Sequence, residues 1–112
     1  MSKKIQAVRG MNDLLPKDSN LWAFVERTIV DLFSSYGYKN IRTPLVEKTD
    51  TFCRAIGQAT DIVEKEMYSW TESNGESLSL RPEGTAGCVR MMIEHNLPRE
   101  GIQKIFYQGA MF

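Results

Sequence analysis

Cysteine and histidine, the side chains most typical of zinc sites and of catalytic pairs, are scarce in this sequence. The 112 residues include two cysteines, Cys53 and Cys88, and a single histidine, His95. The cysteines are widely separated and no Cys-x-x-Cys or His-Glu-x-x-His pattern occurs, so the spacing excludes the common zinc motifs. No serine or cysteine motif accompanies the histidine, which leaves a Ser–His or Cys–His catalytic pair without support.

An excess of charge of either sign is also missing. The 14 basic and 14 acidic side chains cancel to a net charge of zero, so composition gives no electrostatic case for binding nucleic acid or a membrane surface. The glycine-rich phosphate-binding motifs G-x-G-x-x-G and G-x-x-x-x-G-K-[ST] are both absent from the sequence. No apolar signal segment follows the polar N-terminus, and no hydrophobic run approaches transmembrane length. The sequence therefore predicts a cytoplasmic protein with reduced thiols.

What is present suits one folded domain. Hydrophobic residues make up 42% and charged residues 25%, close to the average of globular proteins. After an irregular arm that ends near Pro16, apolar residues recur every three or four positions and predict an amphipathic helix from Asp18 to Tyr36. Asp18 or Ser19 is expected to cap its start, and Gly37 suits the left-handed position after its end. The apolar face contains Leu21, Trp22, Val25, Ile29, Leu32, Phe33 and Tyr36.

Short strands and helices alternate along the rest of the chain and predict an α+β fold. Pro44 interrupts the alternating segment 38–46, which predicts a strand that stops there or lies at a sheet edge or an interface. The segment 102–112 is apolar on both faces and predicts a strand covered on both sides. Because the chain ends within it, we expect an N-terminal piece of a longer protein. The other predicted elements are a helix at 49–56, a polar loop at 58–61, a hairpin of strands 66–70 and 77–80 with a type I′ turn at Asn74-Gly75, and a helix at 85–95.

Residues 78–90 join the second strand of the predicted hairpin to the last predicted helix. Arg81, Glu83 and Thr85 occupy every second position across this break, and alternate residues of an extended segment point to one face. A guanidinium, a carboxylate and a hydroxyl are therefore expected to converge above a sheet, and Gly84 leaves room for a ligand near the backbone. The alternative is purely structural: a strand-to-helix turn in which Thr85 caps the helix and Glu83 lies on the surface.

Four segments resemble the histidyl-tRNA synthetase family of class II aminoacyl-tRNA synthetases, and together they cover essentially the whole chain. The arm Arg9-Gly10-Met11-Asn12-Asp13-Leu14-Leu15-Pro16 resembles the N-terminus of that family. The long helix followed by Ile41-Arg42-Thr43-Pro44 resembles class II motif 1. Leu80-Arg81-Pro82-Glu83-Gly84-Thr85 resembles the histidine-binding segment, and Tyr107-Gln108-Gly109-Ala110-Met111-Phe112 resembles the opening strand of motif 2.

This resemblance implies a class II fold, an antiparallel sheet flanked by helices. Residues 1–112 would form the N-terminal part of the catalytic domain, from motif 1 through the start of motif 2. The family activates histidine with ATP, used as a substrate with Mg²⁺, and transfers the histidyl group to tRNA(His); no tightly bound cofactor and no metal site are implied. By resemblance, Glu83 and Thr85 bind the α-ammonium group of histidine, Gly84 belongs to the same binding site by letting the ligand approach the backbone, and Arg81 either touches the substrate or orients Glu83.

Other parts of the family pattern lie outside this chain. The arginine that holds the α-phosphate is expected directly after Phe112, so no catalytic residue is assigned within the chain. The motif 2 loop, motif 3 and the anticodon-binding domain are also missing, and the chain alone is expected to be inactive in aminoacylation. The resemblance further implies a homodimer, formed through the motif 1 helix and the strand that carries Pro44.

Two other hypotheses remain beside a ligase. A catalytically inactive paralogue, such as the regulatory subunit of ATP phosphoribosyltransferase, would share the fold, but it would have no need of the Glu83-Gly84-Thr85 run. A pure interaction module would use the long helix as a dimer surface and would bind no histidine even in a longer protein.

Overall fold

The computed structural model describes residues 3–56 and 67–111, in which three α-helices alternate with five short strands. The predicted loop at 58–61, the first residue of the predicted strand at 66–70, and Phe112 lie outside the described residues. The helices are α1 (Pro16–Ser35), α2 (Thr49–Ile56) and α3 (Thr85–Glu94), and a short 3-10 helix covers Leu97–Glu100. The strands are β1 (Lys39–Asn40), β2 (Val46–Lys48), β3 (Ser69–Thr71), β4 (Ser77–Leu80) and β5 (Ile105–Phe106).

The long helix α1 confirms the predicted amphipathic helix but starts earlier. Pro16 occupies the first helical position, where its fixed φ and missing N–H cost nothing, and the N-cap is the extended residue Leu15. The predicted side-chain cap was wrong: Asp18 lies in the first turn, and the Ser19 hydroxyl donates to the Pro16 carbonyl at 3.1 Å. Gly37 has φ of +84°, the left-handed conformation predicted for the residue after the helix.

The main sheet is antiparallel and has the order β2-β4-β3. The strand predicted within 38–46 is short: β1 ends before Pro44, which cannot donate a hydrogen bond to a neighbouring strand, and a separate strand, β2, begins after it. Helix α2 follows β2 directly and packs against both β4 and α3. The sheet therefore holds the end of β4, and with it the start of α3, in a defined place.

The hairpin of β3 and β4 has a different turn from the predicted type I′. The Gly75 N–H donates to the Glu72 carbonyl at 2.9 Å, and the Glu72 N–H donates to the Glu76 carbonyl at 2.8 Å. Gly75 has φ of +87°, whereas Asn74 does not have a positive φ. This is a type I turn followed by a left-handed glycine, in which the Asn74 side chain accepts from the Glu76 N–H at 2.9 Å instead of adopting the strained backbone itself.

The second sheet pairs β1 with β5 in parallel. Phe106 is buried on one face, where its ring stacks on Phe33 of α1 at 5.0 Å between centroids. The expectation of a strand covered on both faces was wrong within the described residues. On the other face, the start of α3 covers only part of Tyr107, which remains 37% exposed, and Ile102, which precedes β5, is 94% exposed.

The core of the described residues is small and partly polar. Phe52 of α2 is fully buried, with Ala86 and Phe106 nearly so. Ser79, at the centre of β4, is also fully buried, and its hydroxyl is satisfied by the hydroxyls of Ser69 at 2.6 Å and Thr49 at 2.8 Å. Among residues 3–56 and 67–111, no helix is both long and apolar enough to cross a membrane.

Candidate functional site

The carboxylate of Glu83 caps the start of helix α3. Its two oxygens accept the backbone N–H groups of Thr85 and Ala86, at 2.5 and 3.0 Å. Gly84, in the right-handed helical region, is the N-cap residue, and Thr85 is the first residue inside the helix, so the predicted Thr85 cap was wrong. An ionised carboxylate offers about four acceptor positions, so these two bonds leave capacity for a further donor.

The hydroxyl of Thr85 meets a residue that the sequence did not single out. Thr85 Oγ1 lies 3.0 Å from the hydroxyl oxygen of Tyr107, which directly follows β5. The Tyr107 ring also occupies the space beside Gly84, where an added Cβ would lie 2.4 Å from Tyr107 Cε2. Within this chain, the space that Gly84 leaves open beside the backbone is therefore occupied by the Tyr107 ring. A hydroxyl-bearing aromatic residue within an otherwise apolar strand was the available signal for Tyr107.

Arg81 does not converge with Glu83 and Thr85. Its guanidinium donates to the carbonyls of Met111 at 2.6 Å and Ala110 at 2.8 Å, and to the carbonyl and hydroxyl of Thr43 at 3.3 and 3.2 Å. The expected alternation fails because the backbone turns into a helical conformation before Thr85 instead of staying extended. Arg81 therefore joins two backbone segments, and these contacts support a structural role.

Glu83 and Thr85 open onto a groove of about 1000 Å³ between helix α3 and the β2–α2 segment. Its walls mix apolar side chains with charges of both signs, a lining suited to a small zwitterionic ligand. Arg81 does not line it. The lining residues are Lys48, Asp50, Thr51, Glu83, Thr85, Ala86, Val89, Arg90, Ile93 and Glu94.

Arg90, one of the lining residues of this groove, forms an ion pair that joins α3 to β2. Arg90 Nε lies 2.8 Å and 3.1 Å from the two carboxylate oxygens of Glu47, which is only 7% exposed, and Arg90 Nη1 contacts Glu94 at 2.5 Å. Burial alone lowers the pKa of Arg90, but hydrogen bonds and charge attraction from Glu47 and Glu94 outweigh it and raise that pKa overall. Gly87 makes the approach possible, because a Cβ there would lie 3.1 Å from Glu47 Oε1.

The described residues do not provide a resident metal centre. No group of three or more His, Cys, Asp or Glu side chains in residues 3–56 and 67–111 is arranged to hold a metal ion. Cys53 and Cys88 are both unpaired thiols. Burial raises the pKa of the Cys88 thiol, which keeps it protonated and poorly nucleophilic at neutral pH.

Comparison with known proteins connects this site to one family. The family model described as histidyl-tRNA synthetase matches residues 10–112. The chain is 86% identical over 112 residues to the histidine–tRNA ligase of Ruthia magnifica subsp. Calyptogena magnifica, and 60% identical over 113 residues to that of Nitrosomonas eutropha. Both alignments include 100% of this chain but only 26% and 27% of the two relatives, so the chain spans about a quarter of their length.

Solved structures agree on the fold. The crystal structure of apo S. aureus histidyl-tRNA synthetase matches with a TM-score of 0.82 and 40% identity, over 97% of this chain and 29% of that one. A Bacillus halodurans protein described as an ATP phosphoribosyltransferase regulatory subunit/histidyl-tRNA synthetase matches with a TM-score of 0.75 at 23% identity, over 97% of this chain and 28% of that one. The second likeness concerns the fold alone, so the regulatory alternative is less supported than the ligase.

Proposed function

The chain belongs to the histidyl-tRNA synthetase family, and from this premise we propose that it forms the ammonium-binding part of a histidine–tRNA ligase active site. The observation that carries the proposal is the placement of Glu83 and Thr85 side by side at the start of α3, facing one groove. A histidine α-ammonium group has three donors and a positive charge. It calls for a carboxylate and a neutral oxygen acceptor, which these two side chains supply.

The proposed reaction explains why firm positioning matters. The carboxylate of histidine attacks the α-phosphorus of ATP, releases pyrophosphate and forms histidyl-adenylate, from which the histidyl group passes to tRNA(His). Holding the ammonium group fixes the histidine carboxylate relative to ATP and removes much of the entropic cost of the encounter. Mg²⁺ would arrive with ATP as part of the substrate, and the phosphate-binding arginine is expected directly after Phe112.

The wider proposal covers location and assembly. Residues 1–112 would form the catalytic-domain segment from motif 1 to the start of motif 2 of a cytoplasmic enzyme, in keeping with two unpaired cysteines. The enzyme would be a homodimer joined through α1 and the segment that carries Pro44, and α1 has a row of exposed apolar side chains to offer. By itself, the chain is expected to show no aminoacylation activity.

Replacing Glu83 tests the proposed function. In a full-length ligase that carries these residues, Glu83→Gln keeps one oxygen to cap α3 but removes the negative charge. Since a hydrogen bond to a charged group contributes about 1.5–3 kcal/mol, we expect the KM for histidine to rise by about tenfold or more, with kcat/KM falling in proportion. Steady-state pyrophosphate exchange at varied histidine measures both.

Asp50→Asn is the matched control, because Asp50 is a second carboxylate that lines the same groove and belongs to the first turn of α2. The KM of this variant for histidine should stay within about twofold of the unmodified enzyme, since Asp50 is not one of the side chains proposed to hold the ammonium group and a charge that does not contact it is screened. An unchanged histidine KM in Glu83→Gln, or an equal rise in both variants, would rule out Glu83 as the ammonium partner.

A further inference from the structure

We propose that Tyr107 is a positioning residue, which orients the Thr85 hydroxyl so that its lone pairs face the incoming ammonium group. This inference rests on the proposed role of Thr85 in binding histidine. Its structural basis is the 3.0 Å contact between Thr85 Oγ1 and the Tyr107 hydroxyl, across two elements that are far apart in sequence. Among residues 3–56 and 67–111, only Tyr107 forms a hydrogen bond with the Thr85 hydroxyl.

Tyr107 is restrained both at its backbone and at its ring. Its backbone follows Phe106, which is anchored by ring stacking on Phe33 and points to the opposite side of the strand. Its ring lies in the space that Gly84 leaves open, with Cε2 only 2.4 Å from the position of an added Cβ. A ring held in this way presents its hydroxyl at a fixed point, so the contact with Thr85 costs little further side-chain entropy.

The direction of the hydrogen bond follows from the chemistry of the ligand. An ammonium group has only donors, so Thr85 Oγ1 must accept from it. The Thr85 hydroxyl proton must then point elsewhere, because a proton directed at the ammonium would oppose binding. The Tyr107 oxygen is the acceptor at hydrogen-bond distance. Thr85 therefore donates to Tyr107, and the Thr85 lone pairs are left facing the groove.

A double-mutant cycle in the full-length ligase tests this role. Tyr107→Phe keeps the ring beside Gly84 and removes only the hydroxyl. A neutral hydrogen bond contributes about 1 kcal/mol, so we expect the KM for histidine to rise about three- to tenfold. Because the interaction acts on substrate binding, kcat should change by less than about twofold and the KM for ATP should not change.

The second arm of the cycle repeats Tyr107→Phe in a Thr85→Val enzyme. If Tyr107 acts through the Thr85 hydroxyl, the substitution should have no further effect on the histidine KM in that background. The same fold-change in both backgrounds would overturn the inference, as would parallel rises in the KM values for histidine and ATP. If Thr85→Val alone leaves the histidine KM unchanged, the proposed function fails at Thr85 itself, which is a distinguishable result.

Discussion

At the scale of single residues, the charge of Glu83 stabilises the start of a helix and, in the proposed function, would also hold the substrate. The Glu83 carboxylate caps the free N–H groups of α3 through Thr85 and Ala86, and a negative charge at a helix start is stabilised by the helix dipole. In the proposed ligase, the same carboxylate is the counter-ion of the substrate ammonium. The capping bonds fix the carboxylate before the ligand arrives, so little ordering remains to be done on binding.

Gly84→Ala is a prediction at the same scale. The new Cβ would push the Tyr107 ring aside, because the two atoms would lie 2.4 Å apart. The clash is with the outer part of a partly exposed side chain and not with backbone, so displacing the ring from its position should cost only about 1–3 kcal/mol of stability. The displaced ring would, however, lose its contact with Thr85, and we expect the histidine KM of the full-length ligase to rise by at least the factor seen for Tyr107→Phe.

Thermal unfolding and histidine kinetics of the same Gly84→Ala preparation separate the two effects. A matched comparison is Gly84→Ala combined with Tyr107→Phe, in which the hydroxyl contact is already absent and the added methyl group should raise the histidine KM no further. A Gly84→Ala enzyme with an unchanged histidine KM would show that the position of the Tyr107 ring is irrelevant to binding.

At the scale of elements, the periodic segments were the predictable ones and the junctions were not. The apolar repeat located α1, and the short helix α2 matches its predicted bounds at 49–56. The junction at 81–85 was only half predicted. The spacing of Glu83 and Thr85 in the sequence correctly predicted that their side chains lie close together. Arg81, however, donates hydrogen bonds to the carbonyls of Ala110 and Met111. A contact between residues so far apart in sequence leaves no local pattern from which it could be predicted.

The ion pair between Glu47 of β2 and Arg90 of α3 should be a main tie between the sheet and the helix. Glu47 is almost fully buried, whereas Arg90 is 29% exposed, which screens part of the interaction. We expect Glu47→Gln to lower the free energy of unfolding by about 1–3 kcal/mol, because it removes the buried counter-charge of the guanidinium and leaves only the more exposed Glu94. Urea unfolding of the full-length ligase measures this loss.

Lys48→Met provides the control, since Lys48 is on the same strand and its ion pair with Glu76 is solvent-exposed, with 73% of the Lys48 side chain accessible. Breaking this pair should cost less than about 1 kcal/mol. Equal losses for the two variants would mean that burial of the Glu47–Arg90 pair has no particular weight in holding β2 and α3 together.

At the scale of the whole molecule, the described chain leaves much apolar surface uncovered. Its radius of gyration is 17.6 Å, whereas a compact domain of this length is expected near 13 Å. Helix α1 has no fully buried residue, and its side chains Leu21, Trp22, Phe24, Val25 and Leu32 are exposed. The sequence predicted the apolar face of α1 correctly, but not what would cover it, because an apolar stripe looks the same whether it meets its own core or another subunit.

A charged substitution on α1 tests the proposed homodimer. Leu32 is 54% exposed, and placing a lysine there would put a charge into an apolar subunit contact. We expect Leu32→Lys to weaken dimerisation of the full-length ligase by about tenfold or more, as measured by concentration-dependent sedimentation, with secondary structure unchanged. Arg27→Glu, a change of charge at an exposed position of the same helix, is the control. Dimers of unchanged affinity in Leu32→Lys would contradict the assignment of α1 to the subunit interface.

The central claim is that Glu83 recognises the α-ammonium group of histidine. Calorimetric titration of the full-length ligase and its Glu83→Gln variant with histidine and with imidazolepropanoate, which is histidine without the ammonium group, tests it most directly. We expect Glu83→Gln to weaken histidine binding by about tenfold or more and to leave the affinity for imidazolepropanoate unchanged or improved. An equal loss of affinity for both ligands, or no loss for either, would contradict the claim.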